Sequence, residues 1–76
     1  MIKYHDRIVL LKDLPGDGLQ SGDVGTVVHI LRQGEAFEVE FMTPGDGTVV
    51  VVTLLSSQIR AVSKRDITHV RELAVF

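Results

Sequence analysis

One segment of the chain alternates apolar and acidic residues in a regular way. Its apolar positions are Phe37, Val39 and Phe41, and Glu38 and Glu40 fill the positions between them. Side chains of a β-strand point alternately to its two faces, so a period of two predicts a strand here. Three apolar side chains would then face a core, and two carboxylates would face water.

Glycine and proline divide the rest of the chain into short segments and exclude long helices. Loops or turns are predicted at residues 13–18, 22–23, 32–35 and 43–47. The strands predicted between them are residues 7–11, 25–31, 36–41, 48–54 and 59–62, with one helical turn at residues 55–58. All of these segments are short, as expected for a small β-protein.

The strand predicted at residues 48–54 contains four consecutive valines. Neighbouring residues of a strand point to opposite sides, so these valines cannot all face one core, and the second face needs its own cover. Residues 63–76 could supply that cover as a short helix capped by Asp66. On one side of this helix fall Ile67, Val70 and either Leu73 or Ala74. Such a short helix is marginal alone in water, so we expect it to dock on the valine strand of its own chain or of a neighbour.

Five short strands, a first loop rich in Asp and Gly, and a helical turn before the last strand predict a small SH3-like antiparallel barrel. A C-terminal amphipathic extension follows it. The alternatives are an OB-like barrel, for which 76 residues are few, and an open meander crossed by a helix. The length leaves room for one core. We therefore expect one barrel domain at residues 1–62 and a tail at residues 63–76.

The chain contains no cysteine, which excludes disulfides, zinc–thiolate sites and thiol nucleophiles. It also favours a reducing compartment. Its apolar runs, such as the four valines, are far shorter than the roughly 20 residues that a bilayer span requires. The N-terminus lacks the apolar region of a signal peptide. We expect a cytoplasmic protein without membrane contact.

Charge disfavours indiscriminate binding to nucleic acid. The chain has 8 Lys and Arg against 10 Asp and Glu, a formal net charge of −2, and non-specific binding scales with the number of phosphates that cations neutralise. The charge is uneven, however, because residues 1–59 are acidic while residues 60–76 are basic. If the chain does bind nucleic acid, the contacts expected are Arg60, Lys64, Arg65 and Arg71.

The residues do not form a recognisable catalytic or metal-binding motif. His5, His29 and His69 lie one per region, without the spacing that places two imidazoles on one ion. Glu38 and Glu40 lie on one face of one strand, whereas glycosidase carboxylates flank a bond across a cleft. The glycines form no phosphate-binding loop. We predict no metal, no cofactor and no enzymatic activity.

Two segments, Gly-Asp-Val-Gly-Thr-Val-Val at residues 22–28 and Phe-Glu-Val-Glu-Phe at residues 37–41, carry a resemblance to a known family. The chain resembles, over residues 5–62, small bacterial proteins of cyanobacteria and proteobacteria that are catalogued only as a domain of unknown function. The resemblance implies genes beside those of small nuclease-like or toxin-like proteins, and hence a neutralising or chaperoning role. Residues 22–27 are also similar to the Gly-x-x-Gly-x-Val stretch of KOW-type barrels, which bind RNA or ribosomal and transcription proteins.

These observations favour a non-catalytic protein-binding module whose partner is a basic protein. It would neutralise or stabilise a toxin-like or nuclease-like protein encoded next to it. The partner contacts expected are Asp13, Asp17, Asp23, Glu38, Glu40, Val70, Arg71 and Leu73. The alternatives are a KOW-like RNA- or ribosome-associated barrel and a scaffold subunit that forms homo-oligomers through its valine strand.

Overall fold

Five antiparallel strands form one sheet in the computed structural model, which describes residues 1–43 and 47–63. The strands are β1 (Arg7–Leu10), β2 (Val24–Leu31), β3 (Ala36–Met42), β4 (Val49–Leu55) and β5 (Ile59–Ala61). Their order in the sheet is β4-β3-β2-β1-β5. Single 3-10 turns occur at Pro15–Asp17, Arg32–Gly34 and Ser56–Gln58, and the described part of the chain contains no α-helix. The predicted all-β class is confirmed.

A three-residue connection forces this sheet to curl. β4 and β5 lie at opposite edges of the sheet, yet only Ser56–Gln58 separates them in the chain. The Gln58 side chain stabilises this turn, because its Oε1 accepts a hydrogen bond from the Leu55 N–H at 2.7 Å. The two edge strands do not pair, so the sheet is barrel-like but not closed. The predicted small antiparallel barrel is confirmed in this open form.

Apolar side chains from all five strands fill the inside of the curled sheet. The prediction for β3 is confirmed, because Phe37, Val39 and Phe41 are at most 3% exposed. The other members of the core cluster are Ile8, Leu10, Leu19, Val27, Leu54 and Ile59. β2 approaches β3 closely at Gly25, where an added Cβ would lie 2.6 Å from Val39 Cγ1. A side chain at this position would collide with the core.

At most of the strand ends, the observed bound differs from the predicted one by one residue. β2 also contains an irregularity that the alternating pattern did not predict. Its register against β3 shifts between Val27 and His29, which is the signature of a β-bulge. The centre of the predicted turn at residues 43–47 lies outside the described residues. Of the tail predicted at residues 63–76, only Ser63 is among the described residues, so the predicted short helix and its cap Asp66 also lie outside them.

Candidate functional site

β4 is a long edge strand with one unpaired side. It pairs with β3 along its whole length of 7 residues, about 23 Å. Within residues 1–43 and 47–63, no strand pairs with its other side. The strand has neither a charged residue nor a proline, and these are two of the features that usually protect an edge from further pairing. On that side the Leu55 N–H already donates to Gln58 Oε1, and the preceding residues of β4 present backbone groups that can accept another strand.

The outward side chains of β3 and β4 form a surface that we call the outer sheet face. It consists of Glu38, Glu40, Met42, Val49, Val51, Thr53 and Leu55. Met42 is 71% exposed, and Val49 and Val51 are 50% and 51% exposed. On the inner side of β4, Leu54 is 2% exposed, and Val50 and Val52 are half-buried. The valines therefore divide between two faces, as predicted, and the outward ones are half exposed.

The register places an acidic stripe beside an apolar one on this face. Glu40 lies directly opposite Val51, and Glu38 lies opposite Thr53. Directly opposed residues of an antiparallel pair have Cβ atoms about 4.5–5.5 Å apart, so the carboxylates of β3 directly border the apolar stripe of β4. Glu40 is exposed and Glu38 is half-buried. A partner with both cationic and apolar groups would fit this surface.

The first loop holds Asp13, Asp17 and Asp23, three of the predicted partner contacts. Asp13 Oδ1 accepts a hydrogen bond from the Ser21 N–H at 2.8 Å, and Asp23 Oδ2 accepts one from the Gln20 N–H at 2.9 Å. These two carboxylates hold the loop in shape. Asp17 is exposed in the turn Pro15–Asp17. The loop joins β1 to β2, so it belongs to a different part of the fold from the outer sheet face on β3 and β4.

The predicted nucleic-acid contacts are located only in part. Arg60 is exposed on β5, and its Nη1 donates a hydrogen bond to the Ala61 carbonyl at 3.3 Å. Lys64, Arg65 and Arg71 lie outside the described residues, as do the predicted partner contacts Val70 and Leu73. Among the described residues, the predicted partner contacts thus lie in two places: Glu38 and Glu40 on β3, and Asp13, Asp17 and Asp23 in the first loop.

Sequence reasoning missed two features of the surface. Met42 and Leu55 belong to the outer sheet face, and the period of two that identified Glu38 and Glu40 could have been continued to include them. The other feature is a side-chain contact between Tyr4 and His29. The Tyr4 Oη lies 3.2 Å from His29 Nδ1, and the centroids of the two rings are 6.1 Å apart. No local pattern reveals this pair, because 25 residues separate its members and only the fold brings them together.

A groove of about 400 Å³ lies at one end of the sheet. Met1, Ile2, Ile30 and Phe37 supply most of its lining, and Gln33, Gly34 and Ser56 complete it. Among the described residues that line it, none has a carboxylate, imidazole or amine side chain that could assist the Ser56 hydroxyl as a general base. Elsewhere in the described ranges, no three His, Asp or Glu side chains gather into a group that could hold a metal ion.

Comparison with known proteins places most of the chain in one family model. The model described as "Domain of unknown function (DUF4926)" matches residues 4–61. Neither the curated proteins nor the solved structures gave a match. Over residues 1–43 and 47–63, no helix has the length and hydropathy needed to cross a membrane.

Proposed function

The chain belongs to the DUF4926 family, a domain of unknown function, and we propose that it is a non-catalytic protein-binding module. The observation that carries this proposal is the edge of β4 that no strand in the described part of the chain covers. That edge is 7 residues long and uncharged, and its outward Val49 and Val51 are half exposed. Single exposed apolar residues are ordinary on a protein surface, but a row along an unpaired edge is a recurring mode of peptide recognition.

Binding would occur by strand addition. A strand of the partner pairs with the backbone of β4, and main-chain hydrogen bonds supply the affinity. The side chains of that strand alternate between two faces, so every second one lies beside Val49, Val51 and Leu55. The outer sheet face thereby selects which strand binds.

The partner proposed is a basic protein. Glu38 and Glu40 border the apolar stripe and attract a cationic surface, which raises the association rate and disfavours acidic competitors. A nuclease-like or toxin-like protein with a basic groove, encoded beside this one in a bacterial genome, has the required chemistry. The module would neutralise or stabilise it in the cytoplasm.

Co-expression with the product of the adjacent gene tests this function. We expect the two proteins to co-purify, and we expect Val51→Lys to abolish the complex because an edge lysine opposes strand addition. Leu11→Lys is the matched control, since Leu11 is 46% exposed against 51% for Val51 and lies outside β4. Failure to co-purify, or equal binding by the two lysine variants, would contradict the proposal.

A second candidate function is self-assembly through the same edge. Two β4 strands can pair antiparallel without bringing charged side chains together. In that arrangement the two Glu40 residues are three strand spacings apart, about 14 Å. This exceeds the Debye length of about 8 Å at physiological salt. The edge is therefore compatible with a second copy of the chain as a scaffold partner.

A further inference from the structure

The backbone groups of β4 alternate in direction along the strand, as its side chains do. The Thr43 N–H donates to the Thr48 carbonyl at 2.7 Å, and the Ser56 N–H donates to the Glu35 carbonyl at 3.0 Å. Both bonds continue the regular register between β3 and β4. The even-numbered residues of β4 therefore direct their N–H and C=O groups toward β3, and the odd-numbered residues direct theirs away from it.

Val49, Val51 and Thr53 thus form a short backbone ladder on the edge of β4 that faces away from β3, and their side chains belong to the outer sheet face. No strand in the described part of the chain pairs with this edge. The ladder stops before Leu55, because the Leu55 N–H donates to Gln58 Oε1 at 2.7 Å. An added antiparallel strand would form hydrogen-bonded pairs with the three ladder residues. The side chains of its own paired residues would then lie on the outer sheet face.

Each ladder residue belongs to a row that crosses from β3 to β4 on the outer sheet face. The register places Glu38 opposite Thr53, Glu40 opposite Val51 and Met42 opposite Val49. A residue of the added strand would extend each row, two strand spacings or about 10 Å from β3. Two of the rows thus contain a carboxylate, and the third contains two apolar side chains.

The two carboxylate rows fit lysine or arginine. These side chains can lay their aliphatic stems along an apolar surface while the charged head lies beyond it. A cation opposite Val51, which is 51% exposed, can cover the valine and direct its charge toward the Glu40 carboxylate. A cation opposite Thr53 can extend toward Glu38 in the same way. An apolar side chain fits the third row, whose two members are at least half exposed.

We propose that β4 recognises an extended segment of a basic protein, bound antiparallel, with the order cation, any residue, cation, any residue, apolar residue. Every strand pair of the described sheet is antiparallel, and antiparallel pairing is slightly more stable per residue than parallel pairing. Because the segment runs opposite to β4, its first cation lies opposite Thr53, its second opposite Val51 and its apolar residue opposite Val49. This inference rests on the proposed strand addition, and it adds the sequence and the direction of the segment that binds.

Two synthetic peptides test the sequence and the direction of the segment. The peptide Thr-Arg-Thr-Arg-Thr-Val-Thr has the proposed order, and Thr-Val-Thr-Arg-Thr-Arg-Thr has the same composition in reverse. Fluorescence anisotropy with the dilute full-length protein measures the dissociation constant of each. We expect the first peptide to bind about two- to fivefold more tightly, because reversal removes the cation that extends toward Glu38 and an exposed ion pair contributes about this factor. Equal binding, or tighter binding of the reversed peptide, would overturn the proposed order.

A charge variant with a matched control tests the contact with Glu40. Glu40→Gln should weaken binding of the first peptide about two- to fivefold. The variant should not affect a peptide that has glutamine in place of the second arginine. Glu35→Gln removes the same charge from an exposed residue outside the outer sheet face, and it should leave binding of the first peptide unchanged. Equal losses from the two variants would mean that only net charge matters, which contradicts the proposed contact.

N-methylated peptides separate this inference from strand addition itself. In the proposed complex the N–H groups of the two arginines and the valine point to β4, and those of the threonines between them point away from it. Methylating the N–H of either arginine should weaken binding about fivefold or more, since a hydrogen bond is lost, and methylating a threonine between them should not. This contrast without a preference between the two peptide orders would overturn the sequence inference alone. Equal effects of methylation at both kinds of position, or no binding of either peptide, would overturn strand addition as well.

Discussion

Gly25 lies where β2 passes closest to the side chains of β3. A Cβ at this position would lie 2.6 Å from Val39 Cγ1, 2.8 Å from Phe41 Cε1 and 2.9 Å from the Glu40 carbonyl oxygen. We expect Gly25→Ala to lower the free energy of unfolding by about 1–3 kcal/mol, the usual cost of overpacking. Urea denaturation measures it. Gly16→Ala is the control, because nothing lies within 4 Å of its added Cβ; similar losses from both would show that β2 and β3 are not this close.

The aspartates of the first loop differ in what they stabilise. Asp13→Ala and Asp23→Ala each remove an acceptor from a backbone N–H, at Ser21 and Gln20 respectively. We expect each to cost about 0.5–2 kcal/mol of stability, as for the loss of a capping side chain. Asp17→Ala should change stability by less than about 0.5 kcal/mol, as for an ordinary surface substitution. Thermal unfolding of the three variants measures these losses of stability. Equal losses in all three would contradict the assigned hydrogen bonds.

Whether the sequence predicts the position of a single side chain depends on how far apart in the chain that residue and its contacts lie. The inward positions of Phe37, Val39 and Phe41 follow from local alternation and could be predicted. The contact between Tyr4 and His29 depends on the N-terminal segment meeting β2, where the His5 N–H donates to the Val27 carbonyl at 2.8 Å. A long-range pairing of this kind leaves no local signature.

Within β4, alternation predicts opposite consequences for two adjacent leucines. Leu54 is 2% exposed in the core cluster, and Leu55 is 57% exposed on the outer sheet face. We expect Leu54→Ala to cost about 2–5 kcal/mol, because it leaves a cavity. Leu55→Ala should cost less than about 0.5 kcal/mol. Urea unfolding separates the two, and a costlier Leu55→Ala would mean that β4 is shifted by one residue.

The strands themselves were predictable, while the bulge in β2 was not. Val27 is buried, and Ile30 packs partly against the core. These residues are three positions apart, which a strand with a strict period of two does not permit on one face. The bulge between Val27 and His29 resolves this conflict by inserting an extra residue. The spacing of Val27 and Ile30 was the signal in the sequence. Most residues from Thr26 to Leu31 are apolar or β-branched, so the segment is also compatible with a regular strand and the signal is easily missed.

The whole molecule combines an acidic body with a cationic C-terminal segment. Eight of the ten acids precede residue 60, and only Arg60 of the four later cations lies in the described part of the chain. The fold could be predicted because turn residues and alternation are local signals. The candidate site could be predicted only as a surplus of apolar residues on β4. The site itself is the edge position of that strand, a property of strand order that no single segment of sequence carries.

The position of β4 at the edge of the sheet predicts how the isolated protein associates in solution. β4 is a neutral strand of 7 residues, and no strand within residues 1–43 and 47–63 pairs with the side that faces away from β3. Such an edge is a template for a second chain, so we expect the molar mass of the isolated protein to rise with concentration toward that of two chains. Static light scattering over a dilution series measures this mass. Val51→Lys should keep the protein monomeric, because antiparallel pairing about a two-fold axis brings the two lysines near each other on adjacent strands. Leu11→Lys is the control and should show the same rise in molar mass as the unmodified chain. A constant mass of one chain at every concentration would leave strand addition to a different protein as the role of β4.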